Sequence, residues 1–306
     1  KPGFVRLMRR NGAIFETEVA TGAQTMLAKP AWLTIASIKA HATWVSPTDA
    51  YYADGGSMYH WHEGSDSWQS TSQADEKSTV IFAPTASSAW VGGGTKLVHW
   101  NGTKQTNINT GVPLDADETW VATGGNDDND VWALSTKRNF HFDGAKWKAF
   151  PSGFAPSAMA RVVGVGSGKS WFFRDQGHFA RFEGTDVVAE QVSPTYDFIG
   201  CQPDGGLLGV SQEPGEIWKG APPSLTRVAG TYPSYRPIDV WYGPKGEAWL
   251  LGSNDVGANA ISFWDGATLR PSVDKPGGSR SYLAVWGLPS GEAWAVGYGG
   301  IAHHRP

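Results

Sequence analysis

With one cysteine in 306 residues, Cys201, the chain has no partner for an intramolecular disulfide, so its stability must come from burial and hydrogen bonding. No apolar run reaches the ~20 residues that a membrane-crossing helix needs, which excludes a helical span. A basic excess is also missing: 25 Lys and Arg stand against 29 Asp and Glu, for a net charge of -4. With a pI near 6.1 there is no basic stripe for a nucleic acid or an anionic membrane to engage. Lysine is sparse and no long 3.6-residue periodicity runs through the sequence, which argues against a helical bundle. No signal peptide is visible, and the chain opens Lys1-Pro2-Gly3 without an initiator Met, as expected if a leader has been removed.

What is abundant is glycine, with 39 residues, and tryptophan, with 16, and both recur in a pattern. Ala89-Trp90-Val91-Gly92 leads to His99-Trp100-Asn101-Gly102. Asp130-Val131-Trp132-Ala133 leads to His141-Phe142-Asp143-Gly144, and Glu247-Ala248-Trp249-Leu250 to Phe263-Trp264-Asp265-Gly266. Short β-type runs at roughly forty-residue spacing, punctuated by Gly and Asn or Asp, are the signature of a β-propeller blade.

The repeat predicts strands column by column. Trp44, Phe82, Trp120, Val163, Ile199, Trp241 and Trp286 mark first strands, and Tyr51, Trp90, Trp132, Trp171, Leu208, Trp249 and Trp294 mark second strands. Third strands hold Trp61, Trp100, Phe142, Phe182, Trp218, Trp264 and His304. Second-strand positions lie 39, 42, 39, 37, 41 and 45 residues apart, regular enough for one unit and uneven enough to place insertions in loops. Turn sequences such as Pro203-Asp204-Gly205-Gly206 and Pro289-Ser290-Gly291-Glu292 separate first from second strands, with Pro presetting φ and Gly supplying φ > 0. The expected fold is all-β: a seven-bladed β-propeller of four-stranded antiparallel blades.

Length alone suggests about two domains, but the repeat runs through almost the whole chain, so residues 1–306 read as one propeller domain. Residues 1–32 form a closing segment and the blades run from about 33 to 306. The last repeat stops after its third strand at Ile301–Arg305, and the segment Ala13–Val19 is expected to supply the missing outer strand and close the ring. Phe4–Arg10 is then surplus.

Most of the side chains that invite a functional reading have a structural place in the repeat. Fifteen of the 16 tryptophans fall on strand columns, where large rings fill the gap between stacked sheets; only Trp32 does not. His60, His99, His141 and His303 share one column, as expected of a repeated polar partner to a neighbouring blade's backbone rather than of a metal site. Asp49, Asp130, Glu247 and Glu292 share another, where a carboxylate can accept turn N–H groups. The acidic stretch Asp115–Asp130 reads as solvated loop, Cys201 as a small apolar strand residue, and the formal glycosylation acceptor Asn101-Gly102-Thr103 as the recurrent turn. No metal or cofactor site is expected.

Units such as Ala293-Trp294-Ala295-Val296-Gly297 and His99-Trp100-Asn101-Gly102 resemble the propeller repeats of secreted and lipid-anchored proteins of myxobacteria and related Gram-negative bacteria. The resemblance covers residues 33–306 and implies an extracellular, periplasmic or outer-membrane address. Asp143-Gly144-Ala145-Lys146-Trp147 is more distantly similar to the sialidase Asp-box and to a photosystem II assembly-factor propeller. Glu18–Thr25 resembles the Thr-Gly turn of quinoprotein dehydrogenase blades, but it occurs once.

Three functional classes follow: a non-catalytic binding or assembly module recognising a protein partner or glycan, a sialidase-like glycan-active enzyme, and a quinoprotein oxidoreductase. The first is favoured, because no acid pair is tied to Arg138, Arg174 and Arg236 and no docking motif repeats around the ring. In a propeller the connections between blades share one end with those joining second to third strands, and scaffolded loops carry function. The longest such segments place Tyr196, Tyr232, Tyr235, Arg236, Asn254 and Asp255 near one another, a Tyr and Arg combination suited to a protein carboxylate or a sugar ring. These six are the candidate ligand or partner residues, with Arg138, Arg174 and Asp175 as the alternative.

Overall fold

The computed structural model describes residues 4–8, 14–18, 24–28, 41–46, 49–54, 57–62, 69–73, 78–152, 160–164, 169–174, 178–191, 198–201, 206–210, 216–221, 224–231, 236–243, 245–253, 259–271, 282–287, 293–297 and 300–304. Every regular element among them is a β-strand. The first sheet is three-stranded: β1 (Phe4–Met8), β2 (Ile14–Glu18) and β3 (Gln24–Ala28). Four four-stranded sheets follow. They are β4 to β7 (His41–Ser46, Asp49–Asp54, Ser57–His62, Gln69–Gln73), β8 to β11 (Ser78–Thr85, Ser88–Gly93, Lys96–Trp100, Gln105–Asn107), β12 to β15 (Trp120–Asp127, Asp130–Ser135, Arg138–Phe142, Trp147–Pro151) and β16 to β19 (Ala160–Gly164, Lys169–Arg174, His178–Glu183, Val187–Gln191). Two more complete the series of four-stranded sheets: β20 to β23 (Phe198–Cys201, Leu207–Val210, Glu216–Ala221, Ser224–Thr231) and β24 to β27 (Arg236–Tyr242, Ala248–Ser253, Asn259–Trp264, Leu269–Pro271). The last sheet has three strands, β28 (Tyr282–Gly287), β29 (Ala293–Gly297) and β30 (Gly300–His304).

Every sheet is a meander in chain order with antiparallel neighbours, the four-stranded ones being the blades of an all-β propeller. Two compact units form. Lys39–Trp61 with Gln69–Thr195 holds the sheets from β4 to β19, and within it first strand lies beside first strand in the series β4, β8, β12, β16. Lys1–Ile38, His62–Trp68 and Tyr196–Pro306 hold the others, with β20, β24 and β28 side by side in the same way.

All three predicted columns fall on strands of the expected rank: Phe82, Val163, Trp241 and Trp286 lie directly opposite Trp90, Trp171, Trp249 and Trp294, while the other three first strands are offset. The residues directly opposite Tyr51, Trp132 and Leu208 are Thr43, Gly124 and Gly200, rather than Trp44, Trp120 and Ile199. Close approach of neighbouring first strands is the cause at the two glycines. A Cβ on Gly124 would lie 2.7 Å from Val162 Cβ, and one on Gly200 would lie 2.9 Å from Tyr242 Cβ. Bulges shift the register further. Thr79, Val121, Ile238 and Leu283 are each the extra residue near the start of a first strand, where a bulge adds local twist.

At the N-terminus β2 is hydrogen-bonded on both edges, to β1 and to β3, and the strand that lies against β30 is β1. The segment read as surplus is therefore the one beside the last strand of the chain.

Packing between sheets follows one rule in the first unit. Among the described side chains, each second-strand aromatic sets its ring against the third-strand aromatic of the next sheet: Tyr51 on Trp100 at 5.6 Å, Trp90 on Phe142 at 5.7 Å, and Trp132 on Phe182 at 4.8 Å. In the other unit Leu208 and Trp264 share one core cluster. Trp90, Trp132 and Trp249 are buried, as the repeat predicts, while the side chains of Trp171 and Trp294 lie outside the described residues. In two sheets the polar tip of the second-strand ring goes to the next hairpin: Tyr51 Oη donates to the Ala86 carbonyl at 2.6 Å, and Trp90 Nε1 donates to Asp128 at 3.0 Å.

Candidate functional site

At the end where first strand turns into second, each of three sheets carries a histidine stacked on an aromatic ring. His60 lies on Tyr51 (4.3 Å between centroids), His99 on Trp90 (4.2 Å) and His141 on Trp132 (4.2 Å). The sequence predicts a backbone partner in the neighbouring blade. In the structure each imidazole instead bonds within its own sheet. His60 Nε2 meets Asp49 Oδ1 at 3.1 Å, His141 Nε2 meets Asp130 Oδ1 at 2.7 Å, and His99 Nε2 meets Ser88 Oγ at 2.9 Å. Cross-strand stacking brings the ring over the start of the second strand, where the nearest acceptor is that sheet's own hairpin residue. A carboxylate only accepts, so His60 and His141 donate from Nε2.

The carboxylate column divides its work. Glu247 accepts the Lys245 N–H at 2.9 Å, as the turn reading predicts. Asp130 instead accepts from His141 and from the Asn126 amide, and the hairpin is capped by Asp127, which accepts the Asn129 N–H at 2.7 Å. Burial pushes the Asp130 carboxyl up, but the bonds from His141 and Asn126 outweigh it and hold the group below the usual carboxylate range. Between third and fourth strands, Asn101, Asp143 and Asp265 close the predicted turn by accepting backbone N–H groups two and three residues on.

Ser88, His99 and Asp128 have the residue types of a nucleophilic triad but a different wiring. The buried Ser88 hydroxyl donates to Asp128 Oδ1 and therefore accepts from His99 Nε2–H. In a nucleophilic triad the imidazole nitrogen accepts the serine proton and the carboxylate holds the opposite ring nitrogen. Here the carboxylate holds the serine and the imidazole is the donor, so the hydroxyl is a relay in a sheet-to-sheet clasp. Ser88 also occupies the column where Asp49 and Asp130 stand, and Asp128 of the next hairpin supplies the missing carboxylate. That substitution, with an extra acid one repeat later, was the sequence signal for the clasp.

The opposite end carries the connections between sheets. Glu118, read from sequence as part of a solvated acidic loop, is fully buried there, before the first residue of β12. Arg138 grips it with Nε at 3.0 and 3.2 Å from the two carboxylate oxygens and with Nη2 on Oε2. Ser135 Oγ and the Asp115 N–H also donate to it. Burial pushes the Glu118 carboxyl up, yet these bonds and the guanidinium charge overcome it and hold it at about 2. Arg138 Nη2 also reaches the Pro113 carbonyl at 2.8 Å, and Lys137 pairs with Asp115 at 3.3 Å and with Asp117. Beneath, Ile108, Val112 and Leu114 anchor the connection on Leu97, Trp120, Ala133 and Phe140. The clamp fixes the 108–119 connection and leaves Pro113, Asp115, Ala116 and Asp117 exposed on it.

Of the six predicted site residues, Tyr196, Tyr232, Tyr235, Asn254 and Asp255 lie outside the described residues, as does Asp175. Arg236 opens β24 opposite Ser253, the last residue of β25, and so stands at the end of its sheet where second strand passes to third. Arg174 closes β17 at the corresponding end, paired with Ala160. Arg138 is held by Glu118. Among the described residues no three His, Cys, Asp or Glu side chains converge as a metal site would require.

No family model matches the chain, and no curated protein matches it. Solved structures do. A streptogramin B lyase structure superposes with a TM-score of 0.65 at 14% identity, over 86% of this chain and 97% of that one. YCF48 bound to D1 peptide gives 0.64 at 16%, over 87% and 91%. A chain of the mitotic checkpoint complex gives 0.65 at 14%, over 84% and 86%. At these identities the likeness extends to the fold and not to the chemistry.

Proposed function

We propose that this chain is a non-catalytic propeller module that binds a protein partner, or a glycan, through the loops at the end of the sheets where second strand passes to third. The observation that carries this reading is the division of labour between the two ends. One is occupied by histidine, carboxylate and aromatic networks turned inward on the scaffold. At the other a connection is clamped rigidly by Glu118 and Arg138 while its outer residues stay exposed. Pre-ordered loops lose little entropy on binding, which favours recognition. Among proteins sharing the fold, YCF48 is bound to a D1 peptide and another chain is part of the mitotic checkpoint complex, in keeping with a protein partner.

The patch for first contact is Tyr196, Tyr232, Tyr235 and Arg236 with Asn254 and Asp255. The full architecture in this reading has seven blades, closed through the N-terminal segment with β1 at the seam. The resemblance of its repeats to secreted and lipid-anchored proteins supports an address in the cell envelope or outside the cell, as one subunit of a larger assembly.

A pull-down from envelope extracts beside a glycan array tests the class of ligand. A paired Tyr235→Ala and Arg236→Ala variant with an unchanged melting curve should lose most of the captured binding. Undiminished affinity would remove the patch, and turnover of a sialoside reporter would refute the non-catalytic reading.

A further inference from the structure

Three sheets close the turn between third and fourth strands with the same hydrogen bonds, but two use an aspartate and one an asparagine. Asp143 Oδ1 accepts from the N–H of Ala145 at 3.0 Å and of Lys146 at 2.9 Å, and Asp265 Oδ1 from Ala267 at 3.0 Å and Thr268 at 2.7 Å. Asn101 Oδ1 accepts from the Thr103 N–H at 3.2 Å, the Thr103 hydroxyl at 3.1 Å and the Lys104 N–H at 2.9 Å. Asn101 is exposed, and the next residue is Gly102, with φ at 90°.

We infer that Asn101 is a site of spontaneous amide hydrolysis, set up by this turn, one of whose two products is the residue the repeat uses in the equivalent turns. The Gly102 main-chain nitrogen, which makes no hydrogen bond, loses its proton and attacks Asn101 Cγ. The departing Nδ2 takes up, through solvent, the equivalent of the proton lost by the Gly102 nitrogen, the Cγ–Nδ2 bond breaks, ammonia leaves, and a five-membered imide remains. Water then opens the imide. Cleavage of the bond from nitrogen to Cγ gives aspartate. Cleavage of the bond from nitrogen to the main-chain carbonyl gives the isomer whose backbone runs through Cγ. Negative charge develops on Oδ1 as the nitrogen adds, and three donors already point at that atom, the arrangement that stabilises an oxyanion. Glycine places no Cβ beside the attacking nitrogen.

Other asparagines in the described residues lack the combination. Asn109 Oδ1 accepts only the Gly111 N–H, and branched Thr110 follows it; the Asn126 amide nitrogen is tied to Asp130; Asn139 is buried and precedes Phe140. The chain's other Asn-Gly pair, Asn11-Gly12, lies outside the described residues and serves as an internal comparison.

The two products differ in consequence. An aspartate at 101 has the acceptor its turn needs, and in Asp143 and Asp265 the same backbone N–H bonds hold the carboxyl ionised below its usual range. The isomer inserts a methylene into the main chain directly after Trp100, whose pairing with Gln105 begins the short strand β11.

The test is incubation of the folded chain in mildly alkaline buffer, followed by peptide mapping for the carboxylate and its isomer. Conversion at Asn101 should run at least as fast as in an unstructured peptide of residues 97–105. In a Thr103→Ala chain with unchanged melting it should slow about fivefold, the factor one net hydrogen bond supplies. Asn101→Asp should melt with the parent, and the isomer-containing fraction below it. Slower conversion in the folded chain than in the peptide, or an unchanged rate in Thr103→Ala, would overturn the inference.

Discussion

Charge is placed in this protein by what lies beneath it, and Glu118 with Arg138 is the clearest case. Removing Arg138 leaves a buried carboxylate with its main cation gone, so Arg138→Ala should cost about 3–5 kcal/mol in urea unfolding. Replacing the neighbouring Lys137, whose ion pairs are screened by solvent, with Ala should leave the urea midpoint nearly unchanged. The acid dependence has a definite sign. Glu118 has an ordinary value of 4.5 and a folded value of about 2, so the unfolded chain binds the proton first. Its stabilisation is complete above 4.5 and disappears as the pH falls through about 2, and a Glu118→Gln chain should lack that part of the acid transition. Trp132 shows the apolar side of residue-scale energetics. It has no exposed surface and touches Phe172 and Phe182 of the next sheet, so Trp132→Ala should cost about 3–5 kcal/mol by thermal or urea unfolding.

Between elements, the clasp formed by Ser88, His99 and Asp128 joins β9 and β10 to the hairpin of the next sheet. Asp128 stands where a carboxylate at position 88 would otherwise serve. Ser88→Asp alone sets two carboxylates against one another and should lower the melting temperature, whereas Ser88→Asp with Asp128→Asn restores the pattern of the other sheets and should recover most of the loss. Failure of the second change to rescue the first would mean that the two positions do not share one role. His99 adds a pH signature. Burial lowers its pKa below 6.5, with Asp128 opposing, so the unfolded chain protonates first and stability declines as the pH falls below 6.5.

For the whole molecule, the proposed closure rests on the N-terminal segment, because β1 lies against β30 and β2 is held between β1 and β3. Deleting Lys1–Ala20 would remove two of those three strands and expose the edge of the last sheet. A cooperative drop in thermal midpoint is expected, together with a greater tendency to associate through the freed edge. An unchanged midpoint would show that the segment closes nothing.

The repeat by itself determined strand rank, the four-strand size of the six complete sheets and the structural role of the buried tryptophans, because a period near forty residues and a two-residue alternation are local properties of a chain. Turn chemistry at Asn101, Asp143 and Asp265 was legible for the same reason. Where the first-strand register departs from the repeat was not, since Gly124 and Gly200 are there to admit a neighbouring strand and the bulges take their register from twist. The partners of Glu118 and Asp128 were decided only in three dimensions. Arg138 is 20 residues from one and Ser88 is 40 from the other, and at those separations charge and hydrogen bonding are assigned by proximity in the folded chain rather than by position in the sequence.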